Sequence, residues 1–209
     1  MTAARILLWR HGRTASNADG RFQGQLDIPL DDIGLEQVKR AAEAIADRIA
    51  DLGECRIVSS DLSRATVTAQ ALAERLGLPV TTDPQLREVN AGSWQGLLRS
   101  EIQAGYPAEY EAWRARDDIR VGGAERRSEA GARAARAIRD HAAAMDGGVL
   151  VVASHGAALR GAPVDQLGLP PDARARYEGM RNAHWELLTA HTRHGVTDGW
   201  VLTEYNAGA

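Results

Sequence analysis

The chain has 209 residues, 44% of them hydrophobic and 25% charged, which is ordinary for a globular protein and enough for one domain with a substantial core. Its net charge of −3 argues against a nucleic-acid or membrane-surface binder, which would carry a basic patch or stripe. Cys55 is the only cysteine, so an intrachain disulfide and the two-cysteine zinc patterns are excluded, and no stretch approaches the roughly 18 apolar residues of a membrane helix.

The elements follow as short apolar runs alternating with amphipathic helices. "RILLW" reads as a strand buried on both faces, and it stops abruptly at Arg10-His11-Gly12. "LEQVKRAAEAIADRIADL" predicts a helix with Leu35, Val38, Ala42, Ile45, Ile49 and Leu52 on one face. "CRIVSSDLSRATVTAQALAERLGLPV" reads as strand, helix, a stop at Gly77 and a further strand; Cys55 in it is expected to be an inert thiol. From Arg99 to Arg120 the chain is polar and helical in period, and we expect a cap subdomain at about 97–130. "SEAGARAARAIRDHAAAM" predicts a helix with Ser128 as N-cap. "GGVLVVAS" is a second buried strand, followed by a helix that Pro163 should kink or stop early. The tail, "AHWELLTAHTRHGVTDGWVLTEY", predicts two strands joined by a polar turn, an antiparallel edge that offers a surface for a homodimer. The whole predicts a single α/β domain over 1–209, three layers deep, with a mostly parallel central sheet. A cytoplasmic enzyme or binding protein is expected.

Four positions fall where such a sheet would gather them, beyond the carboxyl ends of parallel strands. His11 follows the first run, and His155 follows "VLVVAS" in a near-echo. Arg64 lies in the first turn of a helix, and Glu88 just beyond the strand around Val80. Only Lys39 among the 25 basic residues is lysine, so arginine beside histidine is a common coincidence here and the joint placement carries the weight. Arg10 and Arg64 would suit a dianion, because guanidinium meets phosphate oxygens bidentately. Gly12 and Gly156 would let backbone approach closely. A metal site from His11, His155 and Glu88 is a rival reading, against which the flanking arginines count. What remains is phosphoryl transfer with histidine as nucleophile.

"RHGRTASN", "RFQGQLDIPLDDIGLEQ", "SSDLSRATVTAQAL", "LREVNAGSWQG" and "ASHGAALR" together resemble the histidine phosphatase superfamily, in its phosphoglycerate-mutase-like branch. "NAHWELL" and "YNA" in the tail resemble actinobacterial phosphatases of that branch, those acting on sugar phosphoglycerates among them. The resemblance implies that His11 is phosphorylated and that Arg10, Arg64 and His155 hold the phosphoryl group. It implies that Glu88 protonates the leaving oxygen and then takes a proton from water, and that Asn17, Gln23 and Gly24 line the pocket. A carboxyl beside bound phosphate should hold its proton more tightly, which suits the acid. The implied activity is hydrolysis of a small phosphorylated metabolite without metal or other cofactor; a mutase is the alternative, and a non-catalytic phosphate-binding relative a third. The segment after Glu88 resembles the phosphatase form, and the chain lacks lysine-bearing mutase insertions. Arg13 departs from the usual Glu or Gln beside the nucleophile, and "GGAERRSE" from Gly-Gly-Glu-Ser; Arg126 and Arg127 there are candidates for a second acidic group on the substrate. Trp94 has the best claim among the tryptophans to a site role. His141 falls in a helix pattern and is expected at the surface; His184, His191 and His194 have no acid at convincing spacing.

Overall fold

The computed structural model describes residues 2–170, 173, 178–193 and 196–209. The first apolar run forms β1 (Arg5–Arg10), which lies in the middle of the sheet. Ile6 and Leu8 enter one core layer, and Leu7 and Trp9 the other, as the two-residue period of a strand requires. The strand order is β3 (Val80–Thr82), β2 (Cys55–Ser59), β6 (Val149–Ser154), β1, β7 (Trp185–Arg193) and β8 (Val196–Ala207). The first four are parallel, and β7 and β8 each run antiparallel to the strand before them. Helices α2 (Asp32–Ile49) and α3 (Ser63–Leu76) cover one face, and α6 (Arg127–Ala143) and α7 (Gly156–Gln166) the other. The three-layer class read from the sequence is therefore the observed one. No helix among the described residues is long and apolar enough to cross a membrane.

The helix details depart from the sequence pattern in three places. α2 starts at Asp32, because the Asp31 carboxylate accepts from the Gly34 N–H at 2.8 Å. A Cβ at Gly34 would lie 2.0 Å from the Arg13 carbonyl oxygen, so Gly34 faces inward and Leu35, one 100° step on, is 45% exposed. Ser128 does not cap α6. The helix begins one residue earlier, Glu129 accepts from the Arg126 N–H at 2.9 Å, and the Ser128 hydroxyl turns to Asp118. Pro163 does not stop α7, which continues to Gln166. The proline falls in the last turn, where the ladder resumes with Leu167 N–H donating to its carbonyl at 2.8 Å.

Between the third strand and α6 lie α4 (Arg99–Gly105), α5 (Pro107–Arg114) and a hairpin of β4 (Arg120–Val121) and β5 (Glu125–Arg126). They share a separate core of Val89, Trp94, Ile102, Tyr110 and Val121. Trp94 is wholly buried there and does not reach the cavity described below, so its expected site role is not met; Trp113 takes that wall instead. Cys55 has its thiol pushed up to about 11 by burial and by Glu54, which suits an inert side chain.

One buried carboxyl belongs to neither core nor site. Glu186 on β7 is 3% exposed, its Oε2 has no hydrogen-bond partner among the described residues, and burial pushes it up to about 7. The unfolded value is about 4.3. The folded chain therefore binds the extra proton between those values, and stability falls as pH rises through that window. Replacing Glu186 with methionine should raise the melting temperature, by more at pH 8 than at pH 5, with a pH-dependent part of about 2 kcal/mol. A difference that does not change with pH would contradict a neutral buried carboxyl.

Candidate active site

The parallel strands bring their carboxyl ends to one side. His11 directly follows β1 and His155 directly follows β6, and the two strands pair Arg10 with Ser154. The imidazoles consequently meet with ring centres 5.2 Å apart. Arg64 enters from the first turn of α3 and Glu88 from the loop beyond β3. Arg10, His11, Arg64, Glu88, Asn17, Gln23, Gly24 and Gly156 all line a cavity of about 350 Å³. His155, expected to hold the phosphoryl group with them, is set back from this wall and fully buried.

The two histidines are both neutral but differ in what their nitrogens do. His11 Nδ1 lies 2.6 Å from the Gly12 carbonyl oxygen, an acceptor, so Nδ1 carries the proton and Nε2 keeps its lone pair. Burial first, then Arg10 and Arg64, hold the His11 pKa well below its usual value. Its fixed tautomer thus presents an unprotonated nitrogen beside two guanidinium groups. His155 Nδ1 accepts from Arg64 Nε–H at 3.2 Å, which leaves the proton on Nε2, 2.9 Å from Ser60 Oγ. Burial, Arg64 and His11 depress its pKa likewise. Both nitrogens being engaged, His155 reaches the cavity through Arg64 and is not free to ligate a metal. Among the described residues no three His, Cys, Asp or Glu side chains are grouped to hold a metal ion.

The cations are aimed by backbone oxygens. Arg64 Nη1 donates to Leu26 O at 2.7 Å and Nη2 to Gly24 O at 2.8 Å, so with Nε three of its five N–H donors are committed. Two remain for a ligand. Burial lowers Arg64 to about 10, a charge that an incoming anion would stabilise. Arg10 Nη1 donates to the Met180 carbonyl, and its buried Nε has no partner among the described residues. Glu88 lies across the start of α7, its carboxylate accepting from Val89 N at 2.8 Å, Ala157 N at 3.1 Å and Ala158 N at 3.1 Å. The positive end of a helix holds it there.

The glycines divide. Gly24 sits at φ +53°, so it needs to be glycine, and its carbonyl anchors Arg64. At Gly156 a Cβ would meet Arg10 at an ordinary 3.5 Å, so it forms cavity wall without a steric demand. Gly12 was expected to let backbone approach a ligand closely. Its N–H instead goes to Thr68 Oγ1 at 3.2 Å, and a Cβ would lie 2.6 Å from the Gly34 oxygen; Gly12 is small so that α2 can approach. Arg13 turns from the cavity to Asp31, 2.9 Å away, because that acid caps α2 beside it. Glu125 pairs with Arg133 at 3.1 Å, and Ser128 does not line the cavity.

These strand ends belong to a known architecture. The model of the histidine phosphatase superfamily (branch 1) matches residues 6–203. The chain belongs to the histidine phosphatase superfamily. It is 39% identical over its full length to a glucosyl-3-phosphoglycerate phosphatase of Mycolicibacterium vanbaalenii, 97% of which is covered. A probable phosphoglycerate mutase of Yersinia pestis is 34% identical, with 94% of this chain and 90% of that one covered. A solved mycobacterial glucosyl-3-phosphoglycerate phosphatase, in complexes with VO3, superposes with a TM-score of 0.87 at 35% identity, over 99% of this chain and 100% of that one.

Within this histidine phosphatase several contacts escaped the sequence pattern. Asn182 Nδ2 lies 3.1 Å from His11 O and 3.1 Å from Asn17 Oδ1, tying the His11 loop to α1 (Ala15–Asp19). It stands 171 residues from His11, and only the pairing of β7 with β1 brings it there. Ser60 and Thr68 read as ordinary helix-start and helix residues, yet one anchors His155 and the other supports Gly12. Against expectation His191 finds an acid, Asp198, at 2.6 Å, and His141 lies 2.9 Å from Asp83. His194 lies outside the described residues.

Proposed function

We propose that this chain hydrolyses small phosphomonoesters, sugar phosphoglycerates foremost, through a phosphohistidine on His11. The observation that carries the reading is the His11 tautomer: Nδ1–H bound to Gly12 O leaves Nε2 unprotonated beside Arg10 and Arg64. In the first step the Nε2 lone pair attacks phosphorus, the ester P–O bond breaks, and Glu88 delivers a proton to the leaving oxygen. In the second, Glu88 takes a proton from water, the oxygen attacks phosphorus, and the N–P bond breaks. Arg10 and Arg64 stabilise the charge on the transferring group. His155 is a positioning residue that orients Arg64. The segment from Arg99 to Arg127, which contributes Arg99, Trp113, Val121 and Arg127 to the cavity, serves as the cap over the leaving group.

The names of the mycobacterial relatives support the sugar-phosphoglycerate preference; the mutase relative supports the second reading, transfer to another phosphoglycerate hydroxyl. A panel of phosphomonoesters assayed in EDTA, including glucosyl-3-phosphoglycerate and 3-phosphoglycerate, tests both. Phosphate release with the highest kcat/KM on the glucosylated ester is expected. Isomerisation of phosphoglycerate far exceeding phosphate release would establish the mutase, and loss of activity restored by a divalent metal would overturn the histidine mechanism.

A further inference from the structure

We infer that Arg127 forms a second anion seat in the cavity, one that binds a carboxylate carried on the same molecule as the phosphate. The inference rests on the phosphomonoesterase reading of the cavity floor and adds what its outer wall recognises. Among the described residues the wall carries Arg10, Arg21, Arg64, Arg99 and Arg127 beside a single carboxylate, that of Glu88. Arg10 and Arg64 match the two charges of one phosphate. Arg21 is drawn to Asp19 and Glu101, at 4.0 and 3.7 Å. The wall still holds more positive charge than a lone phosphate dianion requires.

Arg127 is the member built to receive something. Its guanidinium stands 4.7 Å from the centre of the Trp113 ring, and that ring is itself stacked on Tyr110 at 5.8 Å and 17°. A planar cation braced on an aromatic face keeps its N–H fork in one orientation. Among the described residues no carboxylate oxygen lies within ion-pair distance of it, and its hydrogen bonds to Trp113 O are long, at 3.4 Å. Burial and the charge of Arg160 lower its pKa to about 10, so the site as it stands opposes the cation it holds. Neighbouring Arg126 shows the alternative: it turns to the Asp118 carbonyl, outside the cavity. A carboxylate entering the cavity would give Arg127 the bidentate partner it lacks.

Calorimetric binding of 3-phosphoglycerate and glycerol 3-phosphate, which differ in a carboxylate against a hydroxymethyl group, tests the seat. In Arg127→Met, 3-phosphoglycerate should bind about tenfold to a hundredfold more weakly, with glycerol 3-phosphate held within about twofold of wild type. Arg127→Lys, which keeps the charge without the fork, should fall between. Equal weakening of both ligands, or unchanged 3-phosphoglycerate binding, would overturn the seat. Because binding is read directly, loss of the preference in a chain that releases no phosphate would sink the hydrolase reading and leave the seat standing.

Discussion

Replacing His11 with alanine should reduce phosphate release by about a thousandfold or more, while inorganic phosphate still protects the fold against heating. The size follows from what the imidazole does: a covalent route needs its nucleophile, and Arg10, Arg64 and Glu88 have nothing to transfer to without it. Binding should survive because the donors that face an anion are guanidinium groups held by Met180, Leu26 and Gly24 carbonyls, none of which depends on His11. The intermediate gives an independent check. Wild-type enzyme quenched during turnover should carry phosphate that is lost in acid and stable in base, and the alanine variant should carry none. Hydrolysis unchanged in the variant would remove His11 from the chemistry.

Glu88→Gln should cost about 10²- to 10⁴-fold on an alkyl phosphomonoester. Glutamine keeps an oxygen for the amides of Val89, Ala157 and Ala158, so the start of α7 is expected to stay in place. What is lost is the transferable proton. A p-nitrophenyl ester needs no acid for its leaving group, so its first step should persist and its second should stall. The measurable result is a burst of one p-nitrophenol per enzyme followed by slow turnover. Equal losses on both esters without a burst would reduce Glu88 to a helix cap.

How much of this could be read beforehand differs by element. Strand β1 was legible because four consecutive apolar residues admit no other burial, and β6 for the same reason. The placement of His11, His155 and Arg64 followed from strand-end logic plus the order of the blocks. Leu35, Ser128 and the early stop at Pro163 were misread for one common cause. Each was judged by its own local preference, and each was overruled by a neighbour: Gly34 against Arg13, Glu129 against the Arg126 N–H, and the last turn of α7 closing past the proline. Arg13 looked like added charge at the nucleophile, yet Asp31 takes it because the same acid must cap α2.

The sequence by itself determined the layers, through hydrophobic period, and which side chains gather at the cavity, through residue types that recur beyond apolar runs. It could not determine which nitrogen of His11 is free, since that depends on a single 2.6 Å contact with the Gly12 carbonyl. Nor could it show that Arg127 faces the cavity while Arg126 does not, because that depends on where the extended backbone of Arg126 gives way to the helix that Arg127 opens. Asn182, Ser60 and Thr68 carry no pattern of their own; strands and helices remote in sequence must pack before their hydrogen bonds exist. Composition and period act locally and survive in the unfolded chain. Proton positions, unpaired cations and the anchors of the site arise only when burial removes water and leaves each polar group to the partner the fold supplies.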